Sequence, residues 1–180
     1  MFDYPHGFHL FDHYFTYTNL SMLKTLILVR HAQAGHEVGQ SDFNRPLTAI
    51  GQRDARHLGR WIAEQVSHLD EIRTSAALRA KTTAEAIAEE INPGKEPIQD
   101  DELYEAPIRV LLERVHATDA SITHLALVGH NPGMTFLADY LSPAPVCGMR
   151  PGSAVILTFE NMDWNEIEKN KGTLKNSYNI

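Results

Sequence analysis

Strand-sized apolar runs alternate along this chain with segments whose apolar residues recur at helical spacing. That alternation limits the possible folds more than any other feature. Leu23–Val29 reads as a continuous apolar run that stops at Arg30, the pattern of a strand buried on both faces of a parallel sheet. Thr48–Val66 carries Ala55, Leu58, Ile62 and Val66 as a helical stripe. Glu71–Thr74 is a short strand candidate, and Ser75 is placed to cap the next helix. The stripe of that helix is Ala80, Ala84, Ile87 and Ile91, and Asn92-Pro93-Gly94 stops it. Pro107–Ala117 reads as a helix with Val110, Leu111 and Val115 inward, and Ile122–Val128 as the second long strand. Asn131-Pro132 reads as an N-cap followed by proline at the first helical position, opening a helix that continues through Leu141. Ser153–Phe159 is a further strand, and the polar tail from Asn161 offers Trp164 and Ile167 as docking points. The alternation predicts an α/β fold, a three-layer α/β/α sandwich around a mostly parallel sheet.

A chain of 180 residues can bury one sizeable core. Residues 1–21 stand apart: they hold Phe2, Tyr4, Phe8, Phe11, Tyr14, Phe15 and Tyr17 and no basic residue. We read them as an aromatic extension outside the domain proper, which spans 22–180. His6, His9 and His13 within it are weak evidence for a metal site, since three histidines alone define no ligand geometry. The net charge of −7 argues against a nucleic-acid partner, which needs a basic footprint. It leaves room for a local cationic pocket. Cys147 is the sole cysteine, so no intrachain disulfide forms, and it reads as a small packed hydrophobe. No apolar run approaches the ~20 residues that span a bilayer, and no basic residue precedes Lys24 to make a secretory n-region. The expectation is a cytoplasmic protein with no membrane partner.

In open α/β sheets the site lies beyond the carboxyl ends of the strands. The first strand ends Leu28-Val29-Arg30-His31-Ala32, the second runs into Ser75-Ala76-Ala77-Leu78-Arg79, and the third ends Val128-Gly129-His130-Asn131-Pro132-Gly133. If these strands are parallel neighbours, Arg30, His31, Arg79 and His130 converge into a cationic cup. Guanidinium forks match phosphate oxygens. Helices following Ser75 and Asn131 would aim their N-termini at the same place. Arg45 either lines the mouth of this cup or braces the loop before Thr48. His36, His57, His68, His116 and His124 have no constellation around them and read as surface or capping residues.

Four ordered blocks resemble the histidine phosphatase superfamily, also called phosphoglycerate-mutase-like. They are Leu28-Val29-Arg30-His31-Ala32; Asp42-Phe43-Asn44-Arg45-Pro46-Leu47-Thr48 followed by Gly51; Ser75 through Leu78-Arg79-Ala80 to Thr83-Ala84; and Gly129-His130-Asn131-Pro132-Gly133. The third block carries an extra residue around Ala76-Ala77 relative to the usual spacing. The short length, Ala32 after the histidine, and Asp101-Glu102-Leu103-Tyr104 are similar to the SixA-like phosphohistidine phosphatase branch. The resemblance covers roughly residues 22–170 and implies a mechanism. His31 attacks phosphorus, becomes phosphorylated, and is freed by water. Arg30, Arg79 and His130 hold the equatorial oxygens. No metal or other cofactor is expected.

The leaving group is where the sequence leaves alternatives open. Relatives that cleave phosphate esters place an acid after the third strand, and here Glu102 and Glu105 flank Leu103-Tyr104. Glu105 is the candidate acid; both glutamates also read as solvated charges. SixA-like members often lack a clear acid, because the P–N bond of phosphohistidine is labile. The expected substrate is therefore phosphohistidine in a protein, such as a phosphotransfer domain acting in signal transduction, with inorganic phosphate as product. The alternatives are a small-molecule phosphate-ester phosphatase and a catalytically inactive phospho-ligand binding module. The short connections between His31 and Thr48 and between Asn92 and Pro107 leave little material for a lid, as an accessible site requires.

Overall fold

A computed structural model describes residues 23–36, 38–146 and 148–179. The expectations for residues 1–21 and for Cys147 lie outside the described residues. The strands are β1 (Leu23–Arg30), β2 (Glu71–Ser75), β3 (Ile98–Asp100), β4 (His124–Gly129), β5 (Ala154–Glu160) and β6 (Thr173–Tyr178). The helices are α1 (Ala49–Gln65), α2 (Leu78–Ile91), α3 (Ile108–His116) and α4 (Gly133–Leu141). The strands form one sheet in the order β3-β2-β4-β1-β5-β6. β3, β2, β4 and β1 run parallel; β5 is antiparallel to β1, and β6 to β5. The α/β fold with a mostly parallel sheet is the one expected.

The apolar runs are continuous because the sheet is covered on both faces. On β1, Ile27 and Val29 pack with Leu58 and Ile62 of α1 and Ala84 and Ile87 of α2. Leu26 and Leu28 point the other way, to Leu111 and Val115 of α3 and Leu137 and Leu141 of α4. Trp164 and Ile167 are fully buried in this second core, as expected of docking points. Trp164 Nε1 donates to the Ile122 carbonyl at 2.8 Å. Lys24, inside a run read as apolar, is fully buried. Its Nζ donates to the carbonyls of Ala120 and Ile122 and lies 3.6 Å from Asp163 Oδ1.

Two edge strands were not expected, β3 and β6. Both are short and mostly solvent-facing, so neither carries an apolar signature. The caps differ too. Ser75 is not the N-cap of α2; that helix begins after Ala77, which makes no side-chain cap. α4 begins at Gly133 after a cis Asn131–Pro132 bond, with Pro132 rather than Asn131 at the cap position. Asn131 still serves this helix, since its Oδ1 accepts from the Thr135 amide at 3.3 Å and the Thr135 hydroxyl at 3.1 Å. No helix among the described residues is long and apolar enough to cross a membrane.

Candidate active site

β1 and β4 are parallel neighbours with Arg30 opposite Gly129, so the residues that follow them, His31 and His130, sit side by side. Their ring centroids are 5.1 Å apart. β2 flanks β4 and leads into α2, whose second residue is Arg79. A cleft of about 280 Å³ opens here, lined among others by Arg30, His31, Asp42, Arg45, Arg79 and His130. The tertiary structure thus brings together every residue expected in the cup.

His31 Nδ1 lies 2.8 Å from the carbonyl of Ala32. A carbonyl only accepts, so Nδ1 carries the proton and Nε2 keeps its lone pair. Arg79 Nε donates to that Nε2 at 3.2 Å. The Ala32 peptide is fixed from its other side, where its amide donates to Thr83 Oγ1 at 3.0 Å. The Thr83 hydroxyl in turn donates to the Arg79 carbonyl at 2.7 Å. Burial pushes the His31 pKa down to about 4, aided by the charges of Arg79, Arg30 and Arg45 and opposed by the Ala32 hydrogen bond. Like-charge repulsion was the expected cause; desolvation is the larger one.

His130 is almost fully buried. Its Nδ1 is 3.3 Å from Arg79 Nη2 and its Nε2 is 2.9 Å from Ser75 Oγ. A guanidinium only donates, so Nδ1 accepts and Nε2–H donates to Ser75. Burial, then the neighbouring His31 and Arg79, pushes its pKa down to about 3. Both imidazoles are therefore neutral near pH 7. Arg30 Nη1 donates to the Met149 carbonyl at 2.9 Å, and its buried Nε has no hydrogen-bond partner.

The cup also holds a carboxylate that sequence reasoning did not assign to it. Asp42 Oδ2 accepts from Arg79 Nη2 at 2.8 Å and from the Tyr104 hydroxyl at 2.8 Å. Its Oδ1 accepts from Arg45 Nη1 at 2.8 Å, and its carbonyl accepts from Arg79 Nη1 at 2.6 Å. The hydrogen bonds from Arg45 and Tyr104, with the Arg79 charge, hold its carboxyl well below the usual carboxylate range. Arg45 does both things considered for it, since its Nε also donates to the Gly35 carbonyl at 2.8 Å. Tyr104 packs behind the residues that line the cleft, edge-on to His130 at 5.3 Å and beneath the Arg79 guanidinium at 5.9 Å. Asp42, Ser75, Thr83 and Tyr104 all lie inside the quoted blocks. The signal that could have found Asp42 is charge balance, because clustered guanidiniums call for a counter-charge.

Glu105 lines the cleft but is exposed, with a left-handed φ of 48°. Glu102 instead pairs with Arg114. His116 Nε2 donates to the Ile167 carbonyl at 2.8 Å. For His68 and His124 the expectation of isolation fails: their rings meet at 4.7 Å beside Asp70, because β2 and β4 start next to one another. A second groove of about 360 Å³, by Lys81, Glu85, Glu89 and Lys95, has no imidazole or guanidinium in its lining.

The family model described as histidine phosphatase superfamily (branch 1) matches residues 26–121, more than half of the chain. The phosphohistidine phosphatase SixA of Escherichia coli (strain K12) is 29% identical over 113 residues, which cover 58% of this chain and 70% of that protein. A SixA-type protein from Nakamurella multipartitia superposes with a TM-score of 0.75 at 26% identity, covering 87% of this chain and 95% of its own. A protein histidine phosphatase SixA solved with tungstate gives a TM-score of 0.71 at 21% identity, over 86% and 96% of the two chains. At that identity the last likeness is one of fold.

Proposed function

Because the chain belongs to branch 1 of the histidine phosphatase superfamily and is SixA-like within it, we propose that it removes phosphate from phosphohistidine in a protein, through His31 and without a metal. Its class is that of a phosphatase. The proposal adds the substrate, the absence of a metal step and the role of each residue. The observation that carries it is the His31 ring, with Nδ1–H given to Ala32 and Nε2 left bare in an arginine-lined cleft.

In the first step a P–N bond forms at His31 Nε2 and the P–N bond of the substrate imidazole breaks. The leaving imidazole takes up a proton from solvent water. Arg79 releases its contact with Nε2, and Arg30, Arg79 and His130 hold the three equatorial oxygens. For His130 to donate from Nδ1, its proton moves from Nε2. The Ser75 hydroxyl permits this because it can either accept from Nε2 or donate to it. In the second step water attacks phosphorus, the bond to His31 breaks and inorganic phosphate leaves. The guanidiniums supply the positive charge a metal would otherwise provide, and they would repel a cation in the same cleft. Access for a protein-borne histidine is supported by the partial exposure of His31. A cytoplasmic phosphotransfer domain of a signalling pathway is the proposed class of partner.

The test is to mix the enzyme with a 32P-phosphohistidine protein and quench within one turnover. Label is expected on His31 in wild type and absent from His31→Ala, with turnover unaffected by chelator. Failure to form a phosphoenzyme would overturn the mechanism, and hydrolysis of none of the phosphorylated compounds tried would favour a binding module. Glu105 at the cleft supports a second reading, an ester phosphatase. If Glu105→Ala spares phosphohistidine turnover but stops ester turnover, that residue is the acid of an ester reaction.

A further inference from the structure

We propose that His68, Asp70 and His124 form a binding site for a divalent transition metal of the zinc type, at the end of the sheet opposite the phosphate cleft. One nitrogen of each imidazole and a carboxylate oxygen of Asp70 all lie within 4.8 Å of one another. His68 Nε2 is 3.1 Å from Asp70 Oδ1, and His124 Nδ1 is 3.8 Å from Asp70 Oδ2. Tetrahedral zinc places its ligand atoms roughly 3.3 Å apart, from metal–ligand bonds near 2.0–2.1 Å. Small side-chain rotations close the cluster to that size.

The ligands are held by partners of the kind that support metal sites. Asp70 Oδ2 is saturated: it accepts from the Thr123 amide at 2.8 Å, the Thr123 hydroxyl at 2.7 Å and the His124 amide at 2.9 Å. Oδ1 is left to face His68. Ser67 Oγ sits 3.0 Å from His68 Nδ1, the ring nitrogen turned away from Asp70. The Thr123 hydroxyl gives its proton to Asp70 and accepts from His124 Nδ1–H at 2.9 Å, which orients that ring and leaves Nε2 as its lone-pair nitrogen. The backbone is pinned as well, since the Asp70 amide donates to the His124 carbonyl at 3.0 Å.

The donor set selects the ion. Asp70 is the only carboxylate in the cluster, while Lys95 donates to the Asp70 carbonyl and Lys175 acts on His124 from β6. Hard cations such as Mg²⁺ need several oxygens and charges, which are missing here. Two imidazoles and one carboxylate with an open fourth position suit Zn²⁺ or Co²⁺. β4 runs from His124 to Gly129, so the site lies about 20 Å from His130 at ~3.3 Å per strand residue and takes no part in phosphoryl transfer.

The test uses the full chain after chelator treatment, titrated with ZnCl2 and separately with MgCl2 by calorimetry. Wild type is expected to bind one more zinc equivalent than His68→Gln, with micromolar or tighter affinity and no response to magnesium. His124→Ala should lose the same equivalent; His68→Gln, at a more exposed position, guards against misfolding. Any zinc held by histidines elsewhere is common to all three proteins and cancels in the difference. Identical zinc isotherms for wild type and His68→Gln would overturn the site, as would equal binding of magnesium. Neither readout depends on phosphatase activity.

Discussion

His31 can act as a nucleophile because one neighbour takes its Nδ1 proton and its surroundings keep the ring neutral. The same physics gives a pH dependence. In the folded protein, burial and the arginines hold His31 and His130 unprotonated down to about pH 4 and about pH 3, against an ordinary value of 6.5. The unfolded chain therefore binds more protons between those limits, and stability falls as pH drops from 6.5 toward 4. The slope reaches about 1.4 kcal/mol per pH unit for each imidazole. Urea midpoints at pH 7, 6 and 5 should decline in wild type and flatten when both histidines are asparagine; a flat wild-type series contradicts the burial argument. Asp42 poses a second question at this scale, since its carboxylate occupies the outer edge of Arg79 that phosphate would use. Its side chain is 46% exposed, so the pair is worth no more than about 1 kcal/mol. Asp42→Asn is expected to tighten inorganic phosphate roughly fivefold, as ~1 kcal/mol dictates. Unchanged or weaker phosphate affinity by calorimetry would show that Asp42 orients Arg79 more than it competes.

Elements place these residues through a few close contacts. The loop after β1 is tied to the start of α1, where Thr48 caps the helix by accepting from the Gly51 amide at 2.9 Å and donates to Gln33 Oε1 at 3.0 Å. Gly51 is required for space, because a Cβ there would lie 2.0 Å from the Gln33 carbonyl oxygen. Gly51→Ala must push this loop away from α1 and should cost about 1–3 kcal/mol. The chevron midpoint in urea measures it, and a shift below a few tenths of that cost would mean the loop yields freely. Thr83 works likewise one helix over, tying the Ala32 amide to α2 so that the Ala32 carbonyl faces His31. Neither contact is visible as an element; each joins the end of one to the start of another.

At the scale of the molecule, parallel strands β2, β4 and β1 deliver the cup at one end of the sheet and the His68–Asp70–His124 cluster at the other. Lys24 ties β1 to the segment before β4 through two carbonyls and to the segment after β5 through Asp163. Lys24→Ala removes the lysine donor from the Ala120 carbonyl and the cation beside Asp163, while the Ile122 carbonyl keeps its bond from Trp164, and should cost about 1–3 kcal/mol. Thermal unfolding would record it, and an unchanged Tm would show that water reaches the site. The sequence by itself determined the covered strands, the helical stripes and the identity of Arg30, His31, Arg79 and His130. Apolar periodicity is set locally, and such residues at strand ends carry their chemistry in their type. Only the tertiary structure decided that Ser75 serves His130 rather than a helix, that Asp42 and Tyr104 close the cup, that two polar strands edge the sheet, and that His68 and His124 meet. Each depends on groups far apart in the chain being brought within hydrogen-bond distance, which sheet order and register fix and residue spacing does not.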